Sequence, residues 1–299
     1  MVDIKCEVNG SDISDNLKKY FTSITIVDND GTESDELSIV LTNNIKRPLH
    51  GDKIKLWING VLYGQFLVQN TQTNHLNELN IIATGANFSS NLKVKKTKSF
   101  LNTTLGKIVE GIAKEHGLSF RVDFQDTEIT HLIQEKESDL HFLNRLSKQY
   151  DSIFSIKNST LIFLDRDTEL PTFTIDLNKC FSWSIAHTNR KAYNSCTVFF
   201  RSTKENQQIS VTTGAGEPVL IKNGTFKTED EALMYAKRQL QKSIRGTKEG
   251  TLIKQGEYVS AGSKLTLANS LQDNGEYTIK TVHTSIDRNG YIIEVDFKN

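Results

Sequence analysis

The feature that most constrains this chain is a repeat. When Gly51 onward is laid against Gly262 onward at a constant offset of 211, Gly51 meets Gly262, Lys53 meets Lys264 and Leu56 meets Leu267. Further along, Gly64 meets Gly275, Thr73 meets Thr284, and Ile81-Ile82 meet Ile292-Ile293. Ile54/Leu265, Gln65/Glu276, Phe66/Tyr277 and Val68/Ile279 are conservative pairs in the same register. The glycines fall at turns and the apolar matches on the inward phase of strands, as expected for two diverged copies of one β fold. Alternating strands resemble one another, yet these matches run through turn, strand, turn and strand without a gap. A trimer of such a chain would present six similar β domains, approximating a six-fold ring that adapts three-fold to six-fold partners.

The rest of the chain reads around that repeat. Ile24 to Val27 and Leu37 to Leu41 flank Asp28-Asn29-Asp30-Gly31 as a hairpin. Lys53 to Ile58, the type I′ signal Asn59-Gly60, Gln65 to Val68 and Leu79 to Thr84 complete a compact antiparallel barrel or sandwich over residues 1–95. The alternating run Lys93, Lys95, Lys96, Lys98 reads as a solvated strand edge. Residues 96–170 change character. Thr103 or Thr104 caps a helix whose apolar positions Leu105, Ile108, Val109, Ile112 and Ala113 share one face, with Gly117 as its left-handed stop. Ser138 caps a second helix with the stripe Phe142, Leu143, Leu146 and Tyr150. The hairpin Ile153 to Leu164, turning at Asn158-Ser159, closes this α+β unit. Residues 171–299 return to β structure: Phe173 to Ile175, Trp183 to Ile185, Cys196 to Phe200, Ile209 to Thr212, and strands after Thr251. One helix at about 229–244 interrupts them, opened by the capping box Thr228-Glu229-Asp230-Glu231 and faced by Ala232, Leu233, Ala236, Leu240 and Ile244. The expected fold class is β-rich α+β: two similar antiparallel β-barrel domains joined by a small α+β domain.

Composition narrows the function. Lys plus Arg and Asp plus Glu both number 36, so no global basic field draws the chain to nucleic acid. Cys6, Cys180 and Cys196 are odd in number and widely spaced, which argues for reduced structural thiols over a disulfide framework or a zinc site. No run approaches the ~20 apolar residues that span a bilayer, so no membrane insertion is expected. The start, Met-Val-Asp-Ile-Lys-Cys-Glu, lacks the apolar core of a signal peptide, and folding in a cytoplasm is expected.

The densest collection of reactive side chains lies in Ile129–Tyr150, with His131, His141, Glu135, Glu137, Asp139 and Ser138. Paired carboxylates are what glycoside hydrolysis needs, but acids at the entry to a helix also favour its positive end, and that reading is preferred. Glu137 and His141 share a helix face, yet His-Glu-x-x-His spacing and a third ligand are missing. His50, His75, His116, His187 and His283 are scattered. Gly214-Ala215-Gly216 lacks the Lys-Ser/Thr of a phosphate cradle, no Gly-x-Ser-x-Gly elbow occurs, and the cysteines have no evident His partner. Trp57 and Trp183 would suit a sugar platform but fall in or beside apolar strands, where core packing is expected. No catalytic, cofactor or metal residues are therefore assigned.

Ser34-Asp35-Glu36-Leu37, Gly64-Gln65-Phe66, the helix Leu105 to Gly117 ending Ala-Lys-Glu-His-Gly, and His131-Leu132-Ile133-Gln134 follow one another in a familiar order. Glu137-Ser138-Asp139-Leu140, Phe142-Leu143, Arg145-Leu146, Ala261-Gly262 and Gly275-Glu276-Tyr277 continue it. In order and spacing these resemble the phage late-control protein D family, the baseplate hubs of contractile tails, related to the N-terminal part of type VI secretion spike proteins. The resemblance implies a non-enzymatic, trimeric, pseudo-hexameric ring between the hexameric tail tube or its initiator and a trimeric spike, among other baseplate proteins. It also implies a central channel that passes DNA or a tape-measure protein without specific binding. The expected location is the virion tail baseplate, after assembly in the host bacterial cytoplasm. Since the chain ends at Asn299 just after the second barrel, the spike is expected to be a separate chain. The alternative function is a peptidoglycan hydrolase or carbohydrate-binding component of the tail tip.

Overall fold

The computed structural model describes residues 2–299 apart from 32, 43–44, 86–89, 125–127, 167, 189–192, 202–206, 225, 227 and 246. The first unit runs β1 (Ile4–Val8), β2 (Ser11–Asp12), α1 (Ser14–Tyr20), β3 (Phe21–Asn29), β4 (Glu36–Thr42), β5 (Lys53–Ile58), β6 (Val61–Thr73) and β7 (Glu78–Thr84). The central unit follows with β8 (Lys95–Thr104), α2 (Leu105–Glu115), β9 (Ser119–Asp123), β10 (Glu128–Ser138), α3 (Asp139–Gln149), β11 (Ser152–Lys157) and β12 (Thr160–Asp165). The remainder is β13 (Thr172–Asp176), β14 (Cys180–His187), β15 (Ser195–Arg201), β16 (Gln208–Gly214), β17 (Val219–Gly224), α4 (Glu229–Ile244), β18 (Lys248–Gln255), β19 (Lys264–Ala268), β20 (Glu276–Asp287) and β21 (Gly290–Lys298). No helix among the described residues is long and apolar enough to cross a membrane.

This is the β-rich α+β class read from the sequence, and the repeat is visible in its topology. The first unit orders its strands β3-β4-β7-β6-β5-β1, and the second orders the corresponding six β14-β18-β21-β20-β19-β13. The last pair differs in sense: β1 is antiparallel to β5, whereas β13 is parallel to β19. Turn bonds repeat as well. Gly51 N donates to Val68 O and Val68 N to Asp52 O; Gly262 N donates to Ile279 O and Ile279 N to Ser263 O. Both glycines sit in the left-handed region, φ 85° and 82°, which favours glycine at each. A bulge falls between Val68 and Asn70 in one copy and between Ile279 and Thr281 in the other.

The gapless alignment, however, holds only to Thr73/Thr284. Thr73 stands opposite Leu79, whereas Thr284 stands opposite Ile293, three residues beyond what a constant offset requires. The β20–β21 hairpin is longer at its tip, and an odd insertion exchanges the two faces of the returning strand. The true counterparts of buried Leu79 and Ile81 are buried Ile293 and Val295. The matched Ile292 is instead 38% exposed. The paired isoleucines concealed this, because Ile-Ile puts an apolar side chain on both faces.

The two β units are also fused. β3 pairs antiparallel with the second half of β20, Thr281 opposite Asn29 through Asp287 opposite Ser23, making one 13-stranded sheet. A single hydrophobic core runs beneath it, from Ile4, Leu56 and Phe66 to Leu252, Ile279 and Phe297. The α+β unit has its own core, built by α2 and α3 against β8, β10 and the β9–β12–β11 sheet. A third core lies where β16-β15-β17 packs against Ala232 and Ala236 of α4. Sequence periodicity had left these strands within the second β domain, since alternation shows that a residue faces a core without showing which core. Helix α4 in fact serves the α+β unit: Lys242 Nζ, Gln239 Nε2 and Arg238 Nη1 donate to the carbonyls of Lys148, Gln149 and Tyr150. Those are carbonyls at the end of α3 that lack helical partners.

The three-way junction of the units is polar. Asp28 at the end of β3 accepts from Lys157 Nζ of β11 and, at 2.7 Å, from the Ala261 N–H of the second β unit. Asn158, in the left-handed two-residue turn after β11, accepts from Gln65 N of β6. Gly31 approaches so closely that a Cβ would lie 2.0 Å from the Phe154 carbonyl oxygen. Burial works against the Lys157 ammonium, but Asp28 and Asp35 outweigh it and raise its pKa. Asp35 stands second to the ammonium, 3.9 Å away, and burial pushes its carboxyl up to about 7, with Lys157 pulling back. The folded state therefore holds this proton more tightly than the unfolded one. The group's contribution to stability is lost as pH rises from about 4 to about 7. Asp35→Asn keeps an acceptor for the Asn29 N–H, and is expected to flatten the decline in melting temperature between pH 5 and pH 8 measured by thermal unfolding. An unchanged slope would remove Asp35 as its source.

Candidate functional site

The segment Ile129–Tyr150 forms the reactive-looking cluster, and its geometry begins with a broken ladder. β10 pairs antiparallel with β8 until the register shifts between Gln134 and Glu137, with Lys136 in the left-handed region at φ 48°. The bulge lets Gln134, fully buried, donate to both the Glu137 carbonyl and Asp139 Oδ1 (3.1 and 2.8 Å). Ser138 then caps α3 through the His141 N–H, as its position in the sequence predicts.

Asp139, 1% exposed, is the centre. Its Oδ2 accepts from Lys96 Nζ of β8 and contacts His116 Nε2, both at 2.6 Å. Lys96 also holds Glu115 Oε1 at 2.6 Å. Glu115 and His116 are delivered by the end of α2. There Gly117 is left-handed, Gly117 N donates to Lys114 O, and Leu118 N donates to Ala113 O, a Schellman closure that fixes where the helix stops. Burial alone would raise the Asp139 carboxyl, but hydrogen bonds from Lys96, His116 and Gln134 outweigh it and hold its pKa below the ordinary value. Glu137 likewise suffers desolvation that bonds from Arg145 and His141 overcome. Arg145 Nη2 reaches Glu137 Oε1 at 2.6 Å and His141 Nδ1 reaches Oε2 at 2.7 Å.

Chemically this is a lock. Both oxygens of Asp139 and both of Glu137 accept from donors of their own fold, which ties each acid to its neighbours. Glu135 points outward, and His131 contacts Ser99 Oγ at 3.0 Å. Glu115, His116 and Asp139 bring ligand-type atoms within 4.8 Å of one another, a grouping that spacing alone did not suggest. The Lys96 ammonium already occupies the position of a cation between the two carboxylates. Lys96 is thus no solvated edge residue, as the alternating lysine run had suggested. The strand places it inward at the meeting point of two helix ends. A further correction concerns Trp183, which is 47% exposed on β14 rather than packed in the core. β14 ends the sheet, and no strand lies beyond it among the described residues. Trp57 is half-buried, with Lys5 Nζ 4.7 Å above its ring.

Removing one partner of a buried pair strands the other charge, so Lys96→Met is expected to cost roughly 3–5 kcal/mol by denaturant unfolding at pH 7. Asp139→Asn is expected to destabilise at pH 7 and progressively less in acid. The stability from a lowered carboxyl pKa is present above about pH 4 and lost as pH falls through the folded value. A pH-independent difference between Asp139→Asn and the parent would contradict this account.

Residues 88–180, which contain the whole knot, match the sequence model of the family described as phage tail baseplate hub (GPD). The chain is 27% identical over 280 residues to the probable baseplate hub protein of Escherichia phage 186, covering 87% of this chain and 70% of that one. Among solved structures, it superposes on the 43 kDa tail protein of prophage MuSo2 from Shewanella oneidensis with a TM-score of 0.75, at 16% identity, over 99% of this chain and 98% of the other. It also superposes on an Escherichia coli component of the type VI secretion system with a TM-score of 0.63, at 11% identity, over 98% of this chain and 76% of that one.

Proposed function

We propose that this chain, which belongs to the phage tail baseplate hub family, closes into a homotrimer whose six β units form a pseudo-hexameric ring between tail tube and spike. The observation that carries this reading is the repeated six-strand order, together with the β3–β20 ladder that joins one copy to the other. A chain that sets two like units side by side gives, under three-fold symmetry, six like units around an axis. Such a ring offers a six-fold surface to a hexameric tube while keeping three-fold symmetry for a trimeric spike.

In this reading the work is mechanical. The ring matches symmetries, holds spike to tube, and surrounds a channel through which DNA or a tape-measure protein passes. The balance of 36 basic and 36 acidic residues suits a passage that does not grip a polyanion. In this reading the chain acts as a structural virion component, and the internal donors on Asp139 and Glu137 favour a structural role for these acids over a hydrolytic one.

Mass measurement in solution tests this, with the chain alone over a range of concentrations and together with the spike of the same particle. A three-chain species is expected in at least one condition. A monomer that persists in both would overturn the ring.

A further inference from the structure

The turn from α3 into β11 delivers a buried hydroxyl that nothing in the chain bonds. Asp151 takes the left-handed conformation, φ 49°, and the next residue, Ser152, opens β11. Ser152 is 5% exposed, and its Oγ has no hydrogen-bond partner among the described residues. Leaving a buried hydroxyl unbonded is costly, so such a group calls for a reason. This one lines a crevice of about 120 Å³ between α3, β11, α4 and the turns of the two β units, with room for several waters or one small oxyanion.

The charged side chains around that hydroxyl are mostly cationic. Exposed Lys148 and Lys242 and half-buried Arg166 line the crevice with it. The two acids of the lining, Asp151 and Asp30, already have cations of their own. Asp151 accepts from Arg166 Nε at 3.2 Å and from Arg245 Nη1, and Asp30 lies 3.7 Å from Lys298 Nζ. Five cations therefore stand against two acids. Lys242 spends one N–H on the Lys148 carbonyl, at 2.9 Å, and an ammonium has three. Burial above all, and then Arg166, Lys148 and Lys222, hold the Lys242 ammonium below its ordinary pKa against the pull of Asp151. An anion in the crevice would relieve that repulsion.

We infer that this crevice binds a small tetrahedral oxyanion of the phosphate class, with Ser152 Oγ donating from its buried wall and Lys148, Lys242 and Arg166 supplying the charge. The donors come from four places in the chain: the end of α3, the start of β11, the residue after β12, and α4. A tetrahedral ion presents acceptors in all directions and suits such a ring of donors, whereas a planar carboxylate is best met by a single fork. Two of the cations are lysines, which act as point charges instead of forks. Bound there, the ion ties α3, β11 and α4 together beside Gly31 of the first β unit and Gly262 of the second. Every donor belongs to one chain, so the site does not depend on the ring proposed above.

The test is titration calorimetry of the full chain with inorganic phosphate at pH 7 and constant ionic strength, with acetate and chloride as comparison anions. Saturable binding of one phosphate per chain is expected, with a Kd on the order of 1 mM or tighter. Ser152→Ala is expected to weaken it about tenfold, since a hydrogen bond to a charged group is lost. Its melting temperature in chloride should be unchanged or higher, because the unbonded hydroxyl is gone. Lys148→Gln is expected to weaken binding severalfold without shifting the melting temperature in chloride by more than about a degree. Lys53→Gln, on β5 of the first β unit, should leave phosphate binding as in the parent. Phosphate heats that match those of chloride, or that never saturate, would overturn the site. Saturable binding that survives both Ser152→Ala and Lys148→Gln would overturn its location, and acetate binding as tightly as phosphate would overturn the tetrahedral assignment.

Discussion

The two β units and the α+β unit meet at Lys157. Its ammonium, on the hairpin of the α+β unit, lies between Asp28 and Asp35 of the first β unit, and Asp28 also takes the Ala261 N–H of the second. Burying such groups is costly, and apolar residues of the same volume would often serve stability as well or better. What they would not supply is a fixed angle. An apolar contact tolerates sliding, whereas an ammonium with two carboxylates, braced by Asn158 on Gln65 and by the close approach of Gly31 to Phe154, has one geometry. In the ring proposed above, a small error in the angle between two of its six units is multiplied around the circle. The cost of the buried charges is reasonable where orientation is the product.

Local features of the fold were legible because each has a local cause. Ser138 and Thr228 cap the helices they precede, Thr104 rather than Thr103 caps α2, and Asn59-Gly60 and Asn158-Ser159 adopt the left-handed turns their composition suggests. The repeat was legible through Gly51/Gly262 and the strand after each. It went out of register where an insertion at a hairpin tip left no compositional mark. The knot at Asp139 was half visible: the acid and its cap could be read, while Lys96, Glu115, His116 and Gln134 arrive from three other elements. Their convergence depends on a bulge at Lys136 and a helix stop at Gly117, and of these only the glycine has a sequence signature. The independence of the β15–β17 and α4 core was invisible, since inward-facing strands of any sheet alternate alike.

The α+β unit is held at both ends of α3. At its start the Asp139 carboxylate is pinned by Lys96 and His116, which ties it to β8 and to the end of α2. At its end, side chains of α4 satisfy the carbonyls of residues 148 to 150, and Arg238 also bonds Asp165 and lies 4.7 Å over the Phe124 ring. Helix ends fray because their terminal groups lack partners; here α4 bonds the carbonyls at the end, while at the start Ser138 caps the His141 N–H and the Asp139 side chain is held by other elements. A helix clamped in this way moves with its surroundings. Through the Lys157 hairpin those surroundings include both β units, so a load on one reaches the other through charged and hydrogen-bonded contacts as well as through the shared sheet.

The two copies differ most where they meet their neighbours. Core positions repeat in kind, Leu56 with Leu267, Phe66 with Tyr277, Val68 with Ile279, all buried. At the outer strand of each unit the same position holds Ile24, sealed by β20, and Trp183, half open. In the proposed ring the first copy finds its neighbour within the chain at an effective concentration set by covalent connection, while the second meets one by collision. An interface formed by collision must offset the loss of translational and rotational freedom that an internal ladder never incurs. A large aromatic side chain gains more from being covered than a branched aliphatic one. The substitution of tryptophan at the uncovered copy of a buried isoleucine is the change that this difference in entropy asks for.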